Sequence, residues 1–156
     1  MKRLIIIGAS GHGKVVADIA RLQEYEDIVF LDDNQTLTSC GKYPVIGKSN
    51  DVNKFEGNVI IAIGNTKIRK RLQQSIDNHR LTTLIHPNAV IAKDVNISYG
   101  SVIMAGVIIN SGTIIGKGCI INTASSVDHD CSIGEFSHVA VGAHLAGNVK
   151  IGNETW

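Results

Sequence analysis

The second half of the chain carries a hydrophobic pattern with a period of six. Every sixth residue from Ile85 onward is aliphatic, and the residue four positions after each of these is small. The aliphatic positions are Ile85, Ile91, Ile97, Ile103, Ile109, Ile115, Ile121, Val127, Ile133, Val139, Leu145 and Ile151. A period of six fits neither a 3.6-residue helix nor the alternation of a single strand, and it is typical of a β-solenoid. The sequence therefore predicts a solenoid of twelve hexapeptides over residues 85–156.

The first 84 residues follow a different pattern, in which apolar strands alternate with amphipathic helices. The predicted strands are Leu4–Ile7, Ile28–Leu31, Asn58–Ile63 and Leu81–Ile85. The predicted helices are Lys14–Leu22 and Thr66–Asn78. Strands that alternate with helices predict a small parallel α/β sheet of the Rossmann type. We therefore divide the chain into an α/β domain, residues 1–84, and a solenoid domain, residues 85–156.

The predicted helix Thr66–Asn78 places Ile68, Leu72 and Ile76 on one face. A basic cluster falls outside that face and consists of Lys67, Arg69, Lys70 and Arg71. Charged residues opposite an apolar stripe predict a solvated surface. Contact with a phosphate is the alternative interpretation.

The amino-acid composition and the cysteine spacing limit the kinds of partner, localisation and metal site that we expect. The chain has 15 basic and 14 acidic residues, and this balance gives no argument for a nucleic-acid or membrane partner. No stretch approaches the roughly eighteen apolar residues of a membrane span, and the run Leu4–Ile7 is too short for a signal peptide. Cys40, Cys119 and Cys131 lack the spacing of metal ligands and are predicted to be small core side chains. We therefore expect a cytoplasmic protein without a metal.

A glycine-rich loop, Gly8-Ala-Ser-Gly-His-Gly13, follows the first predicted strand. Glycines permit a tight turn there, and the N-terminus of the next helix offers N–H donors to an anion. The candidate contacts are Ser10, Gly11, His12 and Gly13. The loop favours nucleotide binding over a ligand-free turn, but it is a weak match to the NAD fingerprint because Ser10 replaces the second glycine.

Polar or glycine residues also follow two other predicted strands. Asp32 and Asp33 end the second strand, and Gly64 and Asn65 end the third. The carboxyl ends of parallel strands meet at one edge of the sheet, so we expect these residues to converge with the glycine loop. Asn65 is also a candidate N-cap of the following helix.

Three histidines of the solenoid, His129, His138 and His144, fall outside its two inward registers and are expected to be accessible. His129 stands between Asp128 and Asp130. A neighbouring carboxylate orients an imidazole and stabilises its protonated form, as a general base requires. A solvated surface histidine is the alternative that spacing leaves open.

A coil of three hexapeptides, or eighteen residues, would stack Gly147 beside His129 on the next coil. A bare glycine beside a base leaves room for a thioester, and its N–H is a possible donor to an oxyanion.

Together these motifs resemble the NeuD/PglD-like sugar acyltransferases, which include sialic-acid O-acetyltransferases and UDP-4-amino-sugar N-acetyltransferases. The matching segments are Gly8–Gly13, Phe30–Asp33, Ile61–Asn65, Ser125–Cys131, Gly134–Val139 and Ala146–Gly152. The likeness covers nearly the whole chain and is greatest to the N-acetyltransferase branch. It implies a Rossmann-like domain followed by a left-handed parallel β-helix, assembled as a homotrimer with active sites between subunits.

The resemblance also implies residue roles. A UDP-sugar would lie against the glycine loop, with Asp32 and Asp33 near its uridine. His129 would be the catalytic base and Asp130 its orienting carboxylate. His138 and the Gly147 amide would contact the acetyl group of acetyl-CoA, which is transferred directly to a sugar amine.

One departure from the family concerns length. The family's β-helix continues through further coils that carry much of the CoA site, whereas this sequence stops at Trp156 after four coils. The resemblance therefore predicts a truncated form that binds acetyl-CoA poorly. The alternatives are an O-acetyltransferase acting on a sialic-acid-type sugar and a non-catalytic nucleotide-sugar-binding module.

Overall fold

The computed structural model of the protein describes residues 2–156. The chain divides into two compact units, and the division falls between Thr82 and Thr83. Each unit corresponds to one of the two hydrophobic patterns. None of the helices in residues 2–156 is long and apolar enough to cross a membrane.

Residues 2–82 form a five-stranded sheet. Its strands are β1 (Arg3–Ile7), β2 (Asp27–Leu31), β3 (Ser39–Cys40), β4 (Tyr43–Gly47) and β5 (Asn58–Ile61). The strand order is β3-β4-β2-β1-β5, and all neighbours are parallel except the pair β3–β4. The chain leaves β1 toward β2 and later returns to the other side of β1 as β5. The carboxyl ends of β1 and β5 therefore form a topological switch point, where open α/β sheets bind ligands.

Two α-helices and two short 3-10 helices accompany this sheet. They are α1 (Gly11–Leu22), α2 (Thr66–Gln74) and the 3-10 segments Ser49–Lys54 and Asn78–Arg80. Helix α1 begins earlier than the predicted Lys14, because the glycine loop turns directly into the helix with Ser10 as its N-cap. Helix α2 ends before the predicted Asn78, and the hydroxyl of Ser75 closes it by donating to the Leu72 carbonyl (2.7 Å).

The other strand predictions also need correction. Strand β5 stops at Ile61 rather than Ile63, and the antiparallel pair β3–β4 has no counterpart in the predicted pattern. The predicted strand Leu81–Ile85 is two separate features: Leu81 makes a single bridge to Val59, whereas Leu84–Ile85 belongs to the second unit.

Residues 83–156 form twelve two-residue strands. They are β6 (Leu84–Ile85), β7 (Val90–Ile91), β8 (Asn96–Ile97), β9 (Val102–Ile103), β10 (Ile108–Ile109), β11 (Ile114–Ile115), β12 (Ile120–Ile121), β13 (Ser126–Val127), β14 (Ser132–Ile133), β15 (His138–Val139), β16 (His144–Leu145) and β17 (Lys150–Ile151). The first sheet contains β7, β10, β13 and β16, the second β8, β11, β14 and β17, and the third β6, β9, β12 and β15.

Strands of this unit pair in parallel with the strands one coil away. Ile108 lies opposite Ser126, for example, so one coil is eighteen residues. The aliphatic register fills the interior, and Ile115, Ile121 and Val127 are completely buried.

The small-residue register is also internal and links successive coils. The hydroxyls of Ser101 and Ser137 donate to the carbonyls of Gly116 (3.0 Å) and Gly152 (2.8 Å) on the next coil. Cys119 and Cys131 occupy the same register and are buried. Cys40 is buried in the first unit, so the prediction that all three cysteines are core side chains is confirmed.

Candidate functional site

His129 lies in the turn between β13 and β14, at the corner where the first and second sheets meet. Its side chain is 53% exposed, and Nδ1 lies 2.9 Å from Oδ2 of Asp130. Asp130 adopts the left-handed conformation (φ +56°) that this turn requires. Because Nδ1 is engaged by the carboxylate, Nε2 is the nitrogen left to accept a proton.

Two carboxylates act on this imidazole. The hydrogen bond to Asp130 raises the pKa of His129, and the negative charges of Asp128 and Asp130 add to the effect. Asp128 itself accepts hydrogen bonds from Nδ2 of Asn110 (2.9 Å) and from the backbone N–H of His129 (2.8 Å). Both hydrogen bonds lower the pKa of Asp128, and the bond from Asn110 has the larger effect. The Asp128 carboxylate therefore stays ionised beside the histidine.

Gly147 stacks against the imidazole from the next coil. A methyl group placed on Gly147 would overlap Nε2 of His129 and lie 2.6 Å from Cε1. The N–H of Asn148 donates to the His129 carbonyl (3.0 Å) and fixes this stacking. The absence of a side chain at Gly147 thus keeps the space beside Nε2 open.

The turn that carries His129 is anchored from inside the β-helix by Thr113. Its side chain is fully buried, donates to the Asp128 carbonyl (2.8 Å) and accepts from the Cys131 N–H (3.1 Å). Both ends of the turn are therefore tied to one hydroxyl of the preceding coil.

The other two histidines lie on different surfaces. His144 begins β16, and its Nδ1 lies 2.7 Å from the Ser126 hydroxyl, beside a hollow of 470 Å³ that Asn110 and Asp128 also line. His138 begins β15 in the third sheet, where its ring stacks on Trp156 with the ring centroids 5.1 Å apart. The chain thus brings His129, Asp130 and Gly147 together and places His138 on another sheet.

In the first unit, the glycine loop packs closely on its neighbours. Gly8 has φ +115°, and a methyl group there would lie 2.5 Å from the Ala62 carbonyl oxygen beyond β5. A methyl group on Gly13 would overlap the Gly8 carbonyl. Gly11, in contrast, faces open space, and the Ser10 hydroxyl does not cap the helix. Ser10 and Gly11 are therefore available at the N-terminus of α1, with half-buried His12 next to them.

The two aspartates that follow β2 have separate partners. Asp32 accepts a hydrogen bond from the Ala9 N–H (2.8 Å), which brings its carboxylate to the glycine loop. Asp33 accepts from the backbone N–H (2.9 Å) and hydroxyl (2.8 Å) of Ser49. The structure therefore joins Asp32 to the loop and turns Asp33 toward the 3-10 helix.

The loop that follows β5 is held by helix α2. Asn65 is the N-cap of α2, and its Oδ1 accepts from the Ile68 N–H (3.0 Å). Arg69 is 1% exposed and donates through Nη1 to the carbonyls of Ile63 (3.0 Å) and Gly64 (2.9 Å). The prediction of a solvated basic cluster is thus wrong for Arg69.

Arg69 is buried because of its position in the helical period. The buried stripe of α2 and the turn after it is Arg69, Leu72, Gln73 and Ile76, whereas Ile68 is 37% exposed. These positions follow the spacing i, i+3, i+4, i+7, which a helix brings to one face. Arg69 can occupy a buried position of this stripe because its guanidinium carries five N–H donors, which pair with carbonyls that need hydrogen-bond partners.

We expect Arg69→Met to lower the free energy of unfolding by about 2–3 kcal/mol, because two loop carbonyls lose a charged donor. Urea denaturation measures the change, and Lys67→Met, at an exposed position of the same helix, is the control. Equal stability of the two variants would contradict a role for Arg69 in holding the loop.

Sequence reasoning also missed Asn110. It precedes Asp128 by eighteen residues, so the coil length was the signal that could have found it. Within residues 2–156, no three His, Cys, Asp or Glu side chains are grouped so that they could hold a metal ion.

Comparison with known proteins gives the family. Residues 3–76 match the model of the PglD N-terminal domain. UDP-N-acetylbacillosamine N-acetyltransferase of Bacillus subtilis (strain 168) is 34% identical over 113 residues, which cover 67% of this chain and 52% of that protein. The chain spans about half the length of this curated relative.

The acetyltransferase domain of PglB from Neisseria gonorrhoeae FA1090 superimposes with a TM-score of 0.93 and 40% identity, covering 99% of this chain and 78% of that chain. The chain belongs to the PglD-like family of sugar acetyltransferases. The same Neisseria domain in complex with acetyl coenzyme A matches with a TM-score of 0.87 and 35% identity, covering 97% of this chain and 85% of that chain.

A third family member, PerB from Caulobacter crescentus, was solved in complex with CoA and GDP-perosamine. It has a TM-score of 0.90 and 32% identity, and the match covers 99% of this chain and 76% of that chain. These likenesses, with the three parallel sheets, confirm the predicted fold class: an α/β unit followed by a left-handed parallel β-helix.

Proposed function

We propose that this chain carries an acetyl-CoA-dependent N-acetyltransferase activity toward the amino group of a UDP-linked amino sugar. Membership in the family of sugar acetyltransferases supports the type of reaction. The observation that carries the proposal is the His129 corner, where Nδ1 is bound by Asp130 and Nε2 borders the bare backbone of Gly147.

In this proposal the transfer is direct. The neutral sugar amine attacks the thioester carbonyl of acetyl-CoA, and Nε2 of His129 accepts the proton that the nitrogen loses. The tetrahedral oxyanion receives a hydrogen bond from the Gly147 N–H. When it collapses, the carbon–sulfur bond breaks, and the imidazolium returns the proton to the CoA thiolate. Asp130 stabilises the imidazolium throughout.

The nucleotide is proposed to bind at the switch point of the first unit. The exposed N-terminus of α1 at Ser10 and Gly11 offers N–H donors to a diphosphate. Asp32, which is joined to the glycine loop, is suited to a nucleoside hydroxyl or base. The name of the Bacillus relative supports UDP, whereas the Caulobacter enzyme was solved with a GDP-sugar.

A homotrimer is also proposed. Val90 and Ile108 stand side by side on the first sheet and are 65% and 42% exposed, which supports a partner chain on that face. Light scattering is expected to give three times the chain mass of 16.7 kDa, and a monomer would contradict this part of the proposal.

The activity is tested by release of free thiol from acetyl-CoA in the presence of a UDP-4-amino sugar. A GDP-4-amino sugar and a sialic-acid-type hydroxy sugar are the comparison acceptors. We expect release with the UDP-amino sugar. Release with the hydroxy sugar alone would overturn N-acetylation, and binding of the UDP-sugar without release would leave a non-catalytic binding module.

A further inference from the structure

Three residues eighteen positions apart, Asp94, Gly112 and Asp130, form a column at the corner that carries His129. A methyl group placed on Gly112 would overlap Oδ1 of Asp130 and lie 3.2 Å from its Cγ. The Asp130 carboxylate therefore rests directly on the bare Cα of Gly112. From that position its other oxygen reaches Nδ1 of His129 at 2.9 Å.

The position of Gly112 is itself held by the coil before it. Oδ2 of Asp94 accepts from the Gly112 N–H (3.1 Å) and from the Ser111 hydroxyl (2.7 Å). The Ser111 carbonyl in turn accepts from the Asp130 N–H (2.9 Å). The hydrogen bond from Ser111 lowers the pKa of Asp94, so this acceptor remains ionised. Backbone and side chain of Asp130 are thus both placed by the turn at Ser111 and Gly112.

Backbone conformation alone does not account for a glycine at position 112. Gly112 has φ +77°, but Ala124 and Phe136 adopt φ +57° at equivalent corner positions. A side chain is therefore compatible with this turn. At Gly106 (φ +71°), a methyl group would meet Ala124 at an ordinary 3.7 Å, whereas at Gly112 it would displace the carboxylate.

We propose that Gly112 is a positioning residue for His129, because its missing side chain is the space that holds the Asp130 carboxylate against the imidazole. The inference rests on the proposed function, in which His129 is the base. The overlapping atom is the end of a flexible side chain, so Gly112→Ala moves that carboxylate without breaking the fold.

The test compares Gly112→Ala with Gly106→Ala, which has the same left-handed backbone, and with Asp130→Ala. The charged groups that face His129 are Asp128 and Asp130, and the adjoining residues of the neighbouring coils, Ser111, Gly112, Gly147 and Asn148, are neutral. NMR titration of the imidazole gives the pKa of His129 in each variant. The pH profile of kcat/KM for acetyl transfer gives its effect on the reaction.

We expect Gly112→Ala and Asp130→Ala to lower the pKa of His129 toward its ordinary value. The acid limb of the kcat/KM profile then moves to lower pH, because an imidazole with a lower pKa stays neutral down to lower pH. The value of kcat/KM falls about tenfold, because the imidazole is a weaker base. Gly106→Ala should keep the wild-type pKa and profile. If His129 kept its wild-type pKa in Gly112→Ala, the inference would be overturned. This holds whether or not Asp130→Ala lowers the pKa of His129. If His129→Ala retained full transfer, the proposed function would fail, while the pKa comparison would still decide the role of Gly112.

Discussion

His129→Ala is expected to lower kcat for acetyl transfer by roughly 10²–10⁴-fold, the usual contribution of a positioned general base. The imidazole is the group whose free nitrogen, Nε2, borders the open space at Gly147. Because the side chain is 53% exposed, its removal leaves little cavity and the fold should persist. The measurement is initial rates of thiol release at saturating substrate.

The matched control for this variant is His79→Ala, at an exposed position in the first unit. It should retain wild-type rates. Thermal unfolding of both variants shows whether a loss of rate reflects a loss of structure. A His129→Ala variant with undiminished kcat would remove His129 from the mechanism and would leave water or the substrate itself to take up the proton.

Gly147→Ala is expected to lower kcat/KM by about a hundredfold, because even a small displacement of a catalytic group is costly. The added methyl would overlap Nε2 of His129, so the ring must leave its place or lose access to substrate. Gly147 does not have a left-handed backbone, so alanine introduces no backbone strain there. The loss should therefore occur with little change in Tm.

Gly152→Ala supplies the comparison for this prediction. It lies on the same coil, also has an ordinary φ, and its methyl group would meet the Thr155 hydroxyl at 3.8 Å, an ordinary contact. Near-normal activity is expected of it. If Gly147→Ala and Gly152→Ala were equally active, the space beside Nε2 would not be where the thioester reacts.

The β-helix was predictable from sequence because its period is unusually strict. The six-residue repeat identifies both inward registers, and the eighteen-residue coil correctly predicts that Gly147 lies next to His129. The same counting rule leads from Asp128 to Asn110 and from Asp130 to Gly112. These two partners lie on the coil before His129, whereas the sequence prediction extended only to the coil after it.

The first unit was less predictable, since its details depend on contacts between loops. The pairing of Asp33 with Ser49 requires the 3-10 helix after β4, which has no strong sequence pattern. Arg69 shows a different limit. Its helical position indicates burial, whereas its charge indicates exposure to solvent. Burial could be predicted only if the carbonyls of Ile63 and Gly64 were known to need donors.

Because the coils stack on one another, the β-helix restricts where residues can be inserted or deleted. The His129 corner draws Gly112, His129 and Gly147 from three successive coils, so the spacings along the sequence are as important as the residues themselves. Deleting one residue from a strand between Gly112 and Gly147 would turn inward-facing side chains outward and separate the three. Insertions of one or a few residues are tolerated only if they bulge out at a corner. Homologous active sites of this design should therefore keep these spacings as strictly as they keep the residues.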